Sequence, residues 1–434
     1  MASKSRGKKS ILFDTVVAKE EALPMSKVVV ILVMAEEKWH EAEFLRRKIE
    51  SKGFETMTLD MGLVGEPQGD CDISRQEVIL ASGRSPDEVA LIADRGQRMP
   101  IMVDGGRRKV RELHYQGKLS GVISLGGATG TQMGTSIMKS LPFGVPKFAL
   151  SSTASVRGLA ERYIGTADIA LMHSVVEFGG LDSLMKNALA QAAGAICGMV
   201  EGATKVPISP PGKGEKPLIA MTYFGPCEQC AVNVRKQVEK RGYQVVGFSA
   251  AGIGDRAMEE MIERQNIFGA VIDLVPGGVG EEALGFARAA GPTRLEAAGK
   301  KGIPQVIAPC GVNWGSPFKR KYKPEYELRK KYDYDATRTF IRLSKEELIM
   351  VADTMADKLN KAQGPVKVLI PLGGWSSLDR RGTDLYDAEL DRAFVDELKK
   401  QLKQDIEVRE VDADLEAPEF AQAIIEAFDE VMLP

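Results

Sequence analysis

Short apolar strands alternate with helical segments along this chain, and that alternation limits the fold more than any other feature. A β-branched run at residues 27–32 precedes a helical pattern at 37–52 and a second strand at 54–59. Such a βαβ order requires parallel strands with helices on both faces of the sheet. The alternation restarts near residue 218. The sequence therefore predicts an α/β protein of two tandem doubly wound domains, Rossmann- or flavodoxin-like, with mainly parallel sheets.

The length supports more than one domain, because 434 residues exceed what one ordinary core accommodates. A stretch rich in proline and glycine at 206–216 is typical of a linker. We predict a first domain at 27–205 and a second at 217–434. Residues 1–26 begin with Lys4, Arg6, Lys8 and Lys9 among small polar residues and lack the apolar segment of a signal peptide. We predict a loose basic arm there.

The composition argues against several classes of function. A net charge of −2 gives no support for binding nucleic acid or an anionic membrane. No apolar run approaches the roughly 20 residues that span a bilayer. The five cysteines are odd in number and widely spread, which favours a reducing cytoplasmic location. With three histidines in total, a His-rich zinc site is not expected.

A glycine-rich turn at 121–131 carries the clearest functional signal. An apolar strand ends there in glycines and threonines, and a helix is predicted at 132–140. The first turn of a helix has unpaired N–H groups and the positive end of the helix dipole, and glycines allow an anion to approach. The residues predicted to cradle phosphate are Gly126, Gly127, Ala128, Thr129, Gly130 and Thr131. The turn is neither a Walker motif nor a GxGxxG fingerprint, and the alternative is a tight turn without a ligand.

Other loops add donors and carboxylates to this prediction. The predicted ligand-binding residues also include Ser152, Thr153, Gly165, Thr166 and Lys38, with Asp168 and Glu36 as candidate ligands for Mg²⁺ through water. Arg342 is a further candidate phosphate contact. Glycine-rich loops at 250–256 and 276–280 have the same character in the second half. The alternative is that α/β proteins turn with Gly, Ser and Thr whether or not they bind a ligand.

Two features have competing interpretations. Cys227 and Cys230 form a CxxC at a predicted helix start, where the dipole would lower a thiol pKa, yet no thioredoxin-sized unit surrounds them. The Ala- and Gly-rich helix at 184–199 suits a close-packed interface in a homo-oligomer. Burial against the protein's own sheet is the alternative for that helix.

Several motifs together resemble one family, and the resemblance covers the chain from about Lys27 onward. They are the 121–131 turn, "LPFGVPK" at 141–147, "YIGTAD" at 163–168, "SVVE" at 174–177, the 248–259 segment and "GPTRLEAA" at 291–298. These stretches are similar to the Tm-1-like ATP-binding domain family, which includes the N-terminal region of the tomato mosaic virus resistance protein and bacterial and fungal members. The resemblance implies ATP as cofactor, possible Mg²⁺, an oligomer, and a separate barrel-domain partner protein.

The chain departs from the family pattern in three loops. The first loop reads Val33-Met34-Ala35-Glu36-Glu37-Lys38 where the family has approximately "GTxDTK". The family's "GALDMVNFGP" loop is shortened to residues 311–317, and a His-Asn pair is replaced by Tyr334-Asp335, with Arg342 kept. The resemblance therefore implies a divergent member whose ligand can differ.

The predicted function is binding of a nucleotide, with ATP as the leading ligand, at the strand-end loops. One alternative is an enzyme or enzyme subunit of sugar-acid or keto-acid metabolism that acts with the barrel partner. A second is a protein-interaction module, because the plant relative acts by binding a viral replication protein. The sequence marks no surface for such a partner.

Overall fold

The computed structural model describes residues 27–208, 210–212, 214–336 and 338–433. The predicted basic arm lies outside the described residues. The chain forms two compact units. Within the described residues, unit 1 comprises 27–141, 145–154 and 170–205, and unit 2 comprises the remainder, including 142–144 and 155–169. Two short segments that precede the predicted linker thus pack with unit 2.

The chain up to residue 205 alternates strands and helices. In order these elements are β1 (Val28–Val33), α1 (Ala35–Glu50), β2 (Glu55–Asp60), α2 (Arg75–Ala81), α3 (Pro86–Ala90), α4 (Arg95–Tyr115), β3 (Gly121–Gly126), α5 (Ala128–Met138), β4 (Lys147–Ser151), α6 (Leu159–Ile164), β5 (Ala170–His173) and α7 (Ser183–Lys205). The five strands form one parallel sheet in the order β2-β1-β3-β4-β5. This is the flavodoxin-like strand order.

The chain from residue 218 repeats the pattern with additions. Its elements are β6 (Leu218–Tyr223), α8 (Glu228–Lys240), β7 (Gln244–Ser249), α9 (Ile253–Arg264), β8 (Phe268–Asp273), α10 (Gly278–Leu284), α11 (Ala297–Lys300), β9 (Gln305–Ile307), β10 (Trp314–Gly315), β11 (Lys331–Asp333), β12 (Thr339–Arg342), α12 (Lys345–Leu359), β13 (Val366–Pro371), α13 (Ala388–Gln401), β14 (Glu407–Val411) and α14 (Pro418–Met432). Six strands form a parallel sheet in the order β14-β13-β9-β8-β6-β7. The predicted fold class is confirmed: both large sheets are parallel and doubly wound.

The sequence pattern predicts one polar helix near 86–99 and another around 103–116, and this prediction is wrong. The structure has instead the short α3 and the long α4, which begins where the Asp94 carboxylate accepts the Gln97 N–H. Pro100 lies inside α4, because one missing N–H in an early turn removes only one helical hydrogen bond. The sequence pattern also did not indicate the small antiparallel sheet β10-β12-β11, whose strands are only two to four residues long.

Each large sheet has an apolar core. In unit 1, α1 and α7 cover one face of the sheet through residues such as Leu45, Ile49, Leu189 and Ile196. The small residues Ala188, Ala192 and Ala193 of α7 are buried in this same core. This face of α7 is therefore buried against the protein's own sheet, as the alternative interpretation predicted. It gives no support for the predicted homo-oligomer. Among the described residues, none of the helices combines the length and apolarity needed to cross a bilayer.

Candidate functional site

The strand order of unit 1 has its topological switch point between β1 and β3. These strands are neighbours in the sheet, but α1 packs with α7 whereas α5 packs with α4. The helix that follows β1 and the helix that follows β3 therefore lie on opposite faces of the sheet. In open α/β sheets, ligands bind at such a switch point, outside the carboxyl ends of the strands. The glycine-rich turn after β3 lies there.

Helix α5 begins four residues earlier than predicted, at Ala128 rather than Gln132. Gly126 has φ 147°, which favours glycine, and Gly127 occupies the N-cap position without a side chain that caps the helix. Ala128, Thr129, Gly130 and Thr131 thus form the first helical turn, not a loop. Glycine and threonine are poor helix formers, so tertiary burial rather than propensity extends the helix to this point.

Only part of this turn can face a ligand. Thr131 is 1% exposed, and its Oγ1 lies 2.7 Å from Ser151 Oγ and 3.2 Å from the Gly126 carbonyl oxygen. It therefore ties the turn to β4. Gly130 is also buried, whereas Gly127 and Thr129 are half-buried and Ala128 is exposed. The accessible N–H groups of the first turn belong to the residues nearest Gly127.

The residues after β4 and β5 lie next to one another. Ser152 Oγ donates to Glu177 Oε2 at 3.0 Å, and the Ser152 carbonyl oxygen is 3.1 Å from His173 Nε2. Thr153 N donates to Ser151 Oγ at 3.1 Å. Lys38 Nζ donates to the carbonyl oxygen of Phe178, the residue after Glu177, at 2.5 Å. The structure thus brings the predicted Lys38 and Ser152 to one short segment.

Glu177 lies beside the predicted Ser152, and the sequence reasoning did not single it out, although its motif was noticed. Val175, two residues earlier, has φ 67°, an uncommon conformation for a β-branched residue, and is 77% exposed. The Ser174 hydroxyl donates to the Val176 carbonyl across this bend at 2.7 Å. Strain of this kind concentrates at functional loops. In the sequence, the only indication of this bend is the pair of valines at 175 and 176, just after β5.

The two candidate magnesium ligands are engaged elsewhere. Glu36 accepts from Arg75 Nη2 at 3.0 Å and from Leu63 N at 2.8 Å. Asp168 accepts from Gly144 N at 2.7 Å and belongs to unit 2. The described residues contain no group of three or more His, Cys, Asp or Glu side chains arranged to hold a metal ion. Magnesium binding remains a prediction.

The other residues of the "YIGTAD" motif also lie in unit 2. Thr166 Oγ1 donates to Glu260 Oε2 of α9 at 2.8 Å. Gly165 has φ 57° at the end of α6. In the structure Thr166 fastens the 155–169 segment within its own unit.

The glycine-rich loops of unit 2 are packed rather than open. A Cβ atom on Gly277 would lie 2.1 Å from the Gly311 carbonyl oxygen, and one on Gly278 would lie 2.6 Å from Asp255 Oδ2. A Cβ on Gly254 would lie 2.4 Å from the Ser249 carbonyl oxygen. These glycines allow loops to approach one another. Their sequence resembles the 121–131 turn, but their environment does not.

A buried ionic cluster occupies the interior behind these loops. The fully buried Arg294 lies 2.6 Å from Asp273, 3.1 Å from Glu259 and 3.4 Å from Asp255. Burial raises the pKa of Asp255 and of Glu259, against the opposing charge of Arg294. Burial opposes the charge on Arg294, but the neighbouring carboxylates hold its pKa above its usual value. Such a cluster costs desolvation and is held by its pairing.

A second buried cluster surrounds Arg342, which was predicted to contact phosphate. The residue is 3% exposed and pairs closely with Asp391, while Asn313 Nδ2 donates to Asp391 Oδ1 at 2.8 Å and to Asp379. Burial raises the pKa of Asp391 to about 6, against the opposing charge of Arg342. Arg342 is therefore a buried internal partner. Sequence could not show this, because the partners of its side chain lie 37 to 49 residues away in number.

The cysteines give no sign of a reactive thiol. Cys227 immediately precedes α8 as expected, but it is fully buried and its Sγ lies 3.3 Å from the Phe224 carbonyl oxygen. Burial raises the pKa of both Cys230 and Cys310. All five cysteines are free. Buried neutral thiols behave as small apolar groups.

Comparison with known proteins assigns both halves of the chain. Residues 27–205 match the N-terminal domain, and residues 216–432 the C-terminal domain, of the "Uncharacterised protein family (UPF0261)". The chain belongs to this family. A UPF0261 protein of Clostridium tetani is 37% identical over 405 residues, which cover 92% of this chain and 98% of the relative.

The predicted resemblance is confirmed by the tomato relative. The ToMV resistance protein Tm-1(GCR237) of Solanum lycopersicum is 32% identical over 365 residues, which cover 83% of this chain and 48% of the tomato protein. The matched region is thus about half of that protein. Among solved structures, an uncharacterised protein from Bacillus cereus aligns over 79% of this chain and 88% of its own, with 15% identity and a TM-score of 0.26.

Proposed function

We propose that unit 1 binds a phosphorylated small molecule, with a nucleotide as the first candidate, at the first turn of α5. The observation that carries the proposal is the uncapped start of an eleven-residue helix directly after a central parallel strand, with glycine at the N-cap. The N–H groups of such a turn and the helix dipole favour an anion. The half-buried Lys38 supplies further donors, because its ammonium group has three N–H groups and donates only one of them to the Phe178 carbonyl. The Ser152 hydroxyl at the neighbouring strand end donates to Glu177, so its oxygen is available to a ligand only as an acceptor.

Glu177 sets a condition on this proposal. Its carboxylate receives the Ser152 hydroxyl, so it lies at the same edge of the sheet and would repel a free phosphate. A magnesium ion bound together with the phosphates removes that repulsion. We therefore expect a nucleotide to bind more tightly with Mg²⁺ than without it. Phosphate monoesters should also bind more tightly when Mg²⁺ is present.

The test is a thermal-shift and calorimetric screen of the full chain with ATP, ADP, sugar phosphates and keto acids, each with and without Mg²⁺. A ligand at 100 times its Kd stabilises a protein by about 2.7 kcal/mol, which gives a measurable shift in Tm. Gly127→Val is the diagnostic variant, because the nearest atom to its new Cβ is Ser152 Oγ at 3.7 Å. Gly202→Val, at an exposed helical glycine with open space around it, is the matched control.

The expected result is that Gly127→Val melts like the parent protein without ligand and loses at least tenfold in affinity for the phosphate ligand. Gly202→Val should keep that affinity. If none of the phosphates shifts the Tm, or if Gly127→Val binds as the parent does, the proposal is wrong.

A further inference from the structure

The segments after β4 and β5 supply oxygen atoms beside the proposed phosphate site. A Cβ atom on Gly127, the N-cap of α5, would have Ser152 Oγ as its nearest neighbour at 3.7 Å. Ser152 Oγ itself lies 3.0 Å from Glu177 Oε2. Two short contacts therefore link the first turn of α5 to a carboxylate that comes from a different strand end.

The Glu177 carboxylate has no cation of its own. Glu177 is exposed, and within the described ranges its carboxylate accepts the neutral Ser152 hydroxyl and forms no ion pair. The nearby Lys38 ammonium donates instead to the carbonyl oxygen of Phe178, at 2.5 Å. The negative charge of Glu177 is therefore uncompensated next to a turn that suits an anion.

A carboxylate in this position weakens the binding of phosphate unless a cation lies between the two groups. Mg²⁺ prefers oxygen ligands, keeps several waters, and is usually bound by one or two carboxylates together with the phosphates of a substrate. A serine hydroxyl beside a phosphate-binding turn is a further oxygen ligand of this kind. The Ser152 oxygen keeps its lone pairs while its hydrogen is donated to Glu177. The two residues thus supply one carboxylate and one hydroxyl.

The carboxylates that the sequence suggested as magnesium ligands do not offer this set. Glu36 uses both oxygens: Oε1 accepts the Leu63 N–H at 2.8 Å, and Oε2 pairs with Arg75 at 3.0 Å. Asp168 belongs to unit 2, where it accepts the Gly144 N–H at 2.7 Å. Glu177, in contrast, lies in unit 1 at the same sheet edge as Gly127.

From these contacts we infer that Glu177 and Ser152 hold the Mg²⁺ ion of a magnesium–nucleotide complex at the start of α5. The inference rests on the proposed function, because the phosphates must lie at that turn to complete the coordination of the ion. The described residues contain no group of three or more His, Cys, Asp or Glu side chains suited to a metal, so the ion and the nucleotide bind together. Glu177 thereby makes the site selective for the magnesium-bound nucleotide over the metal-free one.

The experiment measures the binding of ATP to the full chain by calorimetry, once with Mg²⁺ and once with a chelator, for the parent protein and for Glu177→Gln. The glutamine keeps an oxygen that accepts the Ser152 hydroxyl and removes only the charge. We expect the Kd for ATP with Mg²⁺ to rise about tenfold, because the ion loses its charged protein ligand. The Kd without Mg²⁺ should fall about threefold, because the repulsion of the phosphates is removed.

Glu55→Gln is the matched control. Glu55 is exposed at the first position of β2, and in a parallel sheet that position lies at the edge opposite the carboxyl ends of the strands. The control removes the same charge from the same unit. Both of its Kd values should equal those of the parent protein.

Opposite changes in the two Kd values distinguish a metal ligand from other roles. If Glu177→Gln weakens ATP binding in both conditions, strengthens it in both, or changes neither, the inference is overturned. Equal binding of ATP to the parent protein with and without Mg²⁺, or no binding of ATP, also overturns it. A sugar phosphate that binds without Mg²⁺ and is lost in Gly127→Val would in that case leave the proposed phosphate site standing.

Discussion

The two glycine-rich turns after β3 and after β8 look alike in sequence and differ in structure. At Gly127 the nearest atom to an added Cβ is a serine hydroxyl at 3.7 Å. At Gly277 an added Cβ would collide with the Gly311 backbone. The first turn opens an eleven-residue helix, and the second opens one of seven residues. Gly127 therefore leaves open space beside the turn after β3, whereas Gly277 allows the turn after β8 to pack closely against Gly311.

The difference extends to the charges near each turn. In unit 2, Asp255 beside Gly278 belongs to the cluster that Arg294 holds together with no exposed surface. In unit 1, Glu177 and Lys38 lie at the edge of the sheet and are partly open to solvent. A buried cluster contributes to a fixed structure, whereas exposed groups at strand ends are free to respond to a ligand.

The largest effect expected from this comparison is on Arg294. Arg294→Met leaves Asp255, Glu259 and Asp273 buried without their counter-charge and should lower the free energy of unfolding by about 3–5 kcal/mol. Urea unfolding at neutral pH measures it. The control is Arg235→Met, which removes an exposed helical pair with Glu239 and should cost under about 1 kcal/mol. Equal effects of the two changes would mean that the cluster does not stabilise unit 2.

The glycines themselves provide the next test. Gly277→Ala should destabilise the protein by about 3 kcal/mol, because the Gly311 backbone must move to admit the methyl group. Gly127→Ala should change the stability by less than about 1 kcal/mol, because its φ of −79° suits alanine and space is present. The two melting temperatures should separate clearly. If they fall equally, the contrast between an open and a packed turn is false.

The raised pKa of Asp391 predicts a pH dependence of stability. The folded pKa of about 6 lies above the ordinary 3.8, so between these values the folded state binds more protons than the unfolded state. Stability should therefore fall as pH rises from about 4 to about 6, by up to about 3 kcal/mol. Asp391→Asn should flatten this part of the profile, and Asp405→Asn, at an exposed position, should leave it unchanged. If the stability of both variants rises alike between about pH 4 and about pH 6, the pKa of Asp391 is not raised.

The smallest effect concerns backbone strain. Within the described ranges, Val175 in unit 1 and Leu295 in unit 2 are the non-glycine residues with positive φ. Val175→Gly should stabilise the protein by less than about 1 kcal/mol, because Val175 is exposed and the relief of strain exceeds the entropy that glycine adds to the unfolded chain. Leu295→Gly should destabilise it by about 2 kcal/mol, since Leu295 is 3% exposed and its burial is lost as well. Thermal unfolding measures both, and a destabilised Val175→Gly would show that the bend is unstrained.

Much of the fold followed from local patterns. The apolar runs of β1, β3 and β6 and the amphipathic helices between strands predicted two doubly wound parallel sheets, because period and burial are written into each segment. The start of α5 could not be predicted, since Thr129, Gly130 and Thr131 have low helix propensity, and Gly130 and Thr131 are buried in the folded protein. The short strands β10, β11 and β12 pair over too few residues to leave a pattern.

The site divides in the same way. The glycine turn after β3 and the serines after β4 were visible in the sequence because parallel strands bring their carboxyl ends to one edge. Glu177 was not, because only folding brings its carboxylate to Ser152. Thr131 was predicted as a ligand donor, yet the structure places it in the interior against Ser151.

By itself, the sequence of this protein determined the class of fold, the two parallel sheets and the family, since each depends on local periodicity or on motifs. Only the tertiary structure decided which glycines are open and which are packed, and which charges are buried. The reason is physical: the space around a glycine and the dielectric around a carboxylate come from residues distant in the chain. Arg294 shows this most clearly, because its three acidic partners lie 21 to 39 residues away in number and meet it only in the folded interior.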